Sequence, residues 1–278
     1  MPVSSEYTKP QIMGRTQTDE VKESSGLAVS RCQDNVLWTH NDAGSDAFIF
    51  ALATDGRHLG TWRVENSQNV DWEDIDVFKD ASGTCSLLIG DVGDNGTDRA
   101  ELQIYRIPEP VVTPADAASS TKNPLKSAPA EVLRYRYADG RNNAETLLAH
   151  PLNGDLYVLT KNKKGPSSVY KIKPVFAPEV QASQKIGELI VPSDPPGLLT
   201  GGAISPDGRR VILCDVKNGY ELILPDGADF DAIWQQRPLL VDLGDRKQGE
   251  GVTYTSDGRS IVASSEKKNA PLFRIDRR

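Results

Sequence analysis

Glu250-Gly-Val-Thr-Tyr-Thr-Ser-Asp-Gly-Arg-Ser-Ile-Val-Ala-Ser-Ser-Glu266 decides how the chain is read. Val252 and Tyr254 alternate with Gly251 and Thr253, the two-residue period of a half-buried strand. Ser256-Asp-Gly-Arg259 is a hairpin turn signal. Ser260 to Ser265 then returns as a second strand, and Pro271-Leu-Phe-Arg-Ile275 makes a third. The same grammar recurs upstream. Ala203-Ile-Ser205, the turn Pro206-Asp-Gly-Arg209 and Arg210-Val-Ile-Leu-Cys214 repeat it, as do Thr146-Leu-Leu-Ala149, Leu152-Asn-Gly154 and Asp155-Leu-Tyr-Val-Leu-Thr160.

Five such stretches begin at Glu23, Glu73, Glu145, Thr200 and Glu250, at intervals of 50, 72, 55 and 50 residues. The step from Glu250 through the C-terminus and round to Glu23 is 51, so the repeat closes on itself. A period of about 40 to 50 residues built from short strands is the mark of a β-propeller. The expected fold is all-β: one five-bladed β-propeller over residues 1–278, with blades at about 23–66, 71–137, 144–192, 199–243 and 249–278. The last blade runs out of chain after three strands. Residues 10–19, with Ile12-Met-Gly-Arg-Thr-Gln-Thr18, are the expected donor of its fourth, which closes the ring and removes an exposed sheet edge. The long second blade carries its excess in Pro108 to Ala130, read as an extended surface loop. Gly227 to Gln235 is the best helix candidate.

Composition narrows the function. A net charge of −7 argues against a nucleic-acid partner, whose binding rests on phosphate neutralisation. No run of about 18 apolar residues is present, so no membrane-spanning helix is expected. The first residues show neither a basic region nor an apolar core, which reads as cytoplasmic unless a leader has been removed. The expected partner is a small molecule bound by a monomer. Cys32, Cys85 and Cys214 match no zinc spacing. Three free thiols is the plain reading. A Cys32–Cys85 disulfide is the alternative, since both fall in turns after the first strands of neighbouring blades.

In a propeller, first strands start and second strands end on one rim. The second strands end at Asn41, Asp91, Lys161, Asp215 and Glu266, offset by 18, 18, 16, 15 and 16 residues from the starts. Glu23, Glu73, Glu145 and Glu250 should therefore converge as an inner ring. Like charges so close cannot all stay ionised unaided. A hard divalent cation, Ca²⁺ above all, suits such a ring because it takes six to eight oxygen ligands. Alternatively, each glutamate caps a neighbouring backbone group. His40, in Trp38-Thr-His-Asn-Asp42, is the candidate general base, set against a structural histidine. Asp94 is the second candidate, in the glycine-punctuated loop Gly90-Asp-Val-Gly-Asp-Asn95; an Asx turn is its alternative. Asn41, Asn95, Arg99 and Lys161 are candidate substrate contacts. Asp71 lies two residues before Glu73 on the same side of its strand, and Trp72 faces the other way into the blade packing.

Taken together, Glu23-Ser-Ser-Gly-Leu-Ala28, Trp38-Thr-His-Asn-Asp42, Asp71-Trp-Glu-Asp-Ile75, Ile89-Gly-Asp-Val-Gly-Asp-Asn95 and Ile104-Tyr-Arg-Ile-Pro-Glu-Pro110 resemble a family of uncharacterised bacterial propellers. That family is grouped loosely with TolB-like and esterase-like phytase propellers, and the resemblance implies a fold more than an activity. A more distant similarity is to SMP-30-type lactonases, in which a glutamate at the start of a first strand binds a divalent metal. Glu23 matches that position; the rest of that ligand set does not map, and those propellers have six blades. The leading expectation is a divalent-metal-dependent hydrolase acting on a small molecule. A non-catalytic ligand- or protein-binding propeller is the alternative, and a two-carboxylate glycosidase the third reading.

Overall fold

A computed structural model describes residues 3–193 and 195–278. Its strands are β1 (Gln11–Arg15), β2 (Ser24–Val29), β3 (Leu37–Asn41), β4 (Phe48–Leu52), β5 (His58–Arg63), β6 (Trp72–Lys79) and β7 (Cys85–Asp91). They continue with β8 (Leu102–Pro108), β9 (Leu125–Lys126), β10 (Glu131–Tyr137), β11 (Ala144–Ala149), β12 (Leu156–Thr160), β13 (Ser167–Ile172) and β14 (Gln181–Leu189). The last are β15 (Gly201–Ile204), β16 (Arg210–Cys214), β17 (Gly219–Ile223), β18 (Leu239–Val241), β19 (Val252–Tyr254), β20 (Ser260–Ala263) and β21 (Pro271–Asp276). The described residues hold helix only as two 3-10 turns, Pro114–Ala118 and Phe230–Gln235. The second falls within the stretch expected to be helical.

Pairing gives one four-stranded sheet β15-β16-β17-β18 and another of order β1-β21-β20-β19. Strands β2 to β5 form a third sheet, which β9 extends to five strands. In the fourth, of eight strands, the antiparallel groups β6-β7-β8-β10 and β11-β12-β13-β14 are joined where β10 and β14 run parallel. The innermost strands touch in cyclic order: β2 with β6, β6 with β11, β11 with β15, β15 with β19, and β19 with β2. They come within backbone contact of one another. A Cβ on Gly26 would overlap the backbone of Asp74 and Ile75, so that position takes only glycine.

The N-terminal strand does complete the last sheet. Gln11 pairs with Arg274 and Arg15 with Pro271. A polar lock reinforces this seam. Glu221 of β17 is fully buried, and its Oε1 accepts the Tyr7 hydroxyl at 2.5 Å and the Tyr254 hydroxyl at 2.8 Å. Its Oε2 accepts Arg210 Nη1 at 2.9 Å, and Arg210 also donates to Glu6.

Two expectations need correction. Cys32 and Cys85 form a disulfide with a Cα–Cα distance of 6.1 Å, tying the turn after β2 to the start of β7; Cys214 alone stays a buried thiol. The 108–130 segment is also more than a surface loop. Leu125 and Lys126 pair with Trp62 and Arg63, while the hydroxyls of Ser119 and Ser127 accept the N–H groups of Thr61 and Glu65. Its polar sequence hides this because docking uses backbone and hydroxyl groups rather than an apolar stripe. The result covers the edge of the first sheet.

Candidate functional site

The inner strands begin with irregularities that decide where side chains point. Register shifts occur between Ser24 and Leu27 in β2, between Trp72 and Asp74 in β6, and between Ala144 and Thr146 in β11. A bulge re-aims the residue it contains. In β6 and β11 that residue is Glu73 and Glu145, which are buried with Glu250 at 3%, 4% and 7% exposure. In β2 the bulge holds Ser25, whose hydroxyl donates to Glu73 O at 2.8 Å and lies 3.3 Å from Glu250 Oε2. The counterpart of Glu73 and Glu145 in the first unit is thus Ser25. Glu23 falls ahead of the strand, exposed, and lines a separate pocket with Glu20, Asp46 and Lys268.

Glu73, Glu145 and Glu250 thus face one another, and Asp42 and Asp71 join them. One carboxylate oxygen each from Asp42, Asp71 and Glu73 lie within 4.8 Å of one another. Asn69 sets this geometry by donating to the carbonyls of Asn41 and Asp42 and accepting the Trp72 N–H at 3.0 Å. Gly93 covers the cluster so closely that a Cβ would overlap Asp71 Oδ2 and Glu73 Oε1. Burial raises Asp71, Glu73 and Glu250, and repulsion from neighbouring carboxylates adds to it. Asp71 is pushed up to about 6 and Glu250 to about 9, and Glu73 stands well above the usual carboxylate range. Burial also raises Glu145, against the pull of the Lys161 ammonium bonded to it. Burial alone would lower Lys161, but Glu145 outweighs it and leaves Lys161 raised.

The remaining candidates are engaged elsewhere. Asn41 Oδ1 accepts the N–H groups of Lys22 and Glu23, and its amide donates to Glu20 O, so it ties β3 to the approach of β2. Asp94 accepts the N–H groups of Asp98 and Arg99 at 2.8 and 3.0 Å, and its carbonyl accepts the Thr97 N–H at 2.8 Å, closing a turn that is wider than an Asx turn. That turn holds Thr97 at φ 53°, a costly conformation for a β-branched residue. Arg99 donates to Asp91 Oδ1 and Gly93 O at 2.8 and 2.7 Å, fixing the loop over the cluster. His40 is fully buried, edge-on to Trp72 at 5.7 Å, with Nδ1 3.0 Å from Asn41 O. Burial lowers its pKa, keeping it neutral, and it does not open onto the rim. Thr200 is fully buried and donates to Gly249 O at 3.0 Å, locking two inner strands together. Asn95 and Lys161 do reach a common pocket.

The residues fit a hard divalent cation. Three carboxylates span the separation that one such ion bridges, at 2.3–2.6 Å per oxygen for Ca²⁺, and the chain supplies few donors to them. Asp42 and Asp71 were outside the expected ligand set. Asp71 carried its signal in the two-residue spacing from Glu73; Asp42 follows immediately on the end of β3.

No family model matches the chain, and no curated protein matches its sequence. Among solved structures, a gluconolactonase of Xanthomonas campestris is similar with a TM-score of 0.51 at 14% identity, over 99% of this chain and 97% of that one. At that identity the likeness shows the fold alone, a β-propeller.

Proposed function

We propose that this chain is a five-bladed propeller hydrolase of a small molecule, with a divalent cation, Ca²⁺ first, held by Asp42, Asp71 and Glu73. The observation that carries this reading is the meeting of three carboxylates within 4.8 Å beneath Gly93, without enough protein donors to neutralise them. The five blades are the five antiparallel groups whose inner strands touch in cyclic order. A bound cation of this kind polarises a carbonyl or phosphoryl oxygen and makes water more acidic. The residues around it have distinct tasks. Glu250, raised to about 9, holds a proton at neutral pH and is the acid available to a leaving group. Lys161, fixed by Glu145, is placed to orient an anionic substrate group. His40 and Asp94, the candidate bases of the sequence, are here positioning residues, because one is sealed behind the rim and the other is used by its own loop. The gluconolactonase likeness makes a sugar lactone the first substrate to try.

The test is thermal melting of chelator-treated protein with and without Ca²⁺. Binding to the native state alone raises Tm by mass action, by about 2.7 kcal/mol of stability at a hundredfold excess over Kd. Wild type should respond, and Asp71→Asn with Glu73→Gln should not. Lactone hydrolysis that chelation abolishes would separate an enzyme from a non-catalytic binder. Equal melting points with chelator and with calcium would sink the metal site.

A further inference from the structure

Beside the acidic cluster, on the same rim, lies a pocket of about 420 Å³ with the opposite charge. Arg141, Lys161, Lys163 and Lys164 line it, and no aspartate or glutamate does. That is unexpected by composition, since the chain has 39 acidic residues against 32 lysines and arginines. The rest of the lining is polar, with Asn95, Asn142, Asn143 and Asn162 among it. Among the described residues, Lys161 alone of the four cations has a carboxylate partner, Glu145.

The pocket is built by the chain around it. Asn162 Oδ1 accepts the Lys164 N–H at 3.0 Å, its amide donates to Pro166 O at 3.0 Å, and its own N–H donates to Gly197 O at 2.7 Å. These bonds fold the loop that presents Lys163 and Lys164. Asn143 Oδ1 accepts the Asp94 N–H at 2.7 Å, which fixes the opposite wall to the loop over the acidic cluster. Four cations around one cavity repel each other, and an anion between them relieves that repulsion. Ammonium groups on flexible stems suit a compact oxyanion approached from several sides.

We infer that this pocket binds an oxyanion group, phosphate or carboxylate, of a small-molecule ligand. Lys161 borders both the pocket and the acidic cluster, so one ligand can occupy both. Joint occupancy rests on the metal reading above; anion binding by the pocket does not.

The experiment therefore uses chelated full-length protein, with inorganic phosphate and acetate as probes against chloride at matched ionic strength. Calorimetric titration and melting should show binding by wild type. Arg141→Ala with Lys163→Ala and Lys164→Ala should weaken it about tenfold or more, the sum of several exposed charge contacts. The exposed pair Lys9→Ala with Lys122→Ala should leave it unchanged. A response to phosphate alone assigns a phosphorylated ligand, and a response to acetate assigns a carboxylate. No response to either probe, or an equal response from the triple variant, overturns the proposal. A calcium response that survives such a failure leaves the metal site standing.

Discussion

Glu221 and Glu250 are both buried glutamates in a propeller seam, yet the chain treats them in opposite ways. Glu221 receives two tyrosine hydroxyls and a guanidinium, so its charge is matched by the fold itself. Glu250 receives one serine hydroxyl at 3.3 Å, and around it the acids, Glu145 and Glu266 foremost, outweigh the single ammonium of Lys161. Strand β6 shows the same contrast within a few residues. Asp74 and Asp76 are buried but accept backbone N–H groups from Ile75, Leu147, Val77 and Ala149, stitching β6 to β11. Glu73 just before them, re-aimed by the bulge, meets carboxylates instead. A buried acid with its donors supplied is a structural joint. One without them is held ready for something the chain does not contain.

Removing each acid in turn tests that distinction most directly. Glu221→Ala leaves two buried tyrosine hydroxyls without their acceptor and takes one of the two carboxylate partners from the half-buried Arg210, so it should cost about 3–5 kcal/mol. Glu250→Gln should leave metal-free stability unchanged or raise it, because the amide is neutral without the proton that buried Glu250 must take up. Chemical denaturation of both variants reads the difference. Comparable losses would erase the distinction between the two sites.

The disulfide is the next largest effect, and it belongs with the joints. It closes a loop across 53 residues between neighbouring sheets. Its reduction should cost about 2–4 kcal/mol by freeing the unfolded chain. Melting with and without reductant measures this. An unchanged Tm would mean that the two turns stay together without the bond.

The pH dependence probes the unmatched acids Asp71 and Glu250. Asp71 and Glu250 have folded pKa values above their unfolded ones, so the native state binds more protons between those limits. Metal-free stability is then fullest below the ordinary carboxylate range and is lost as pH rises through about 6 and on towards about 9. Tm should fall from about pH 5 to about pH 8, and calcium should restore more at the higher pH, since ligands must shed protons to bind. A metal-free Tm that climbs over this range would show that these acids are already neutralised.

These contrasts also explain what could be read from sequence. Alternation and Asp-Gly turns are local, so the strands, the repeat and the closing N-terminal strand were legible. The convergence of Glu73, Glu145 and Glu250 followed from their shared place at the start of inner strands. Glu23 stands outside that convergence because the repeat aligns letters while the bulge in β2 shifts the aimed position to Ser25. Whether a buried acid finds donors is not local at all. Glu221 looks like an ordinary strand residue in Gly219-Tyr-Glu-Leu-Ile223, and its partner Tyr7 is 214 residues away. Cys32 and Cys85 likewise meet only through the docking of two sheets.

The smallest expected effect comes from the far end of the channel. Asp207 sits in the turn between β15 and β16, opposite the rim that gathers the acids. Its Oδ1 accepts the Ser205 hydroxyl at 2.5 Å and the Arg209 N–H at 3.0 Å. This is hairpin chemistry complete in itself: burial alone would raise the carboxyl, but the bonds to Ser205 and Arg209, with nearby arginines, outweigh it and hold it below its usual range. Asp207→Asn keeps an oxygen acceptor at the same place, so stability should fall by no more than about 0.5–1 kcal/mol. The calcium-induced rise in Tm and the phosphate response should both match wild type. If either ligand response weakened with Asp207→Asn, the site would belong at the turn end of the channel, and the unmatched acids of the other rim would need another explanation.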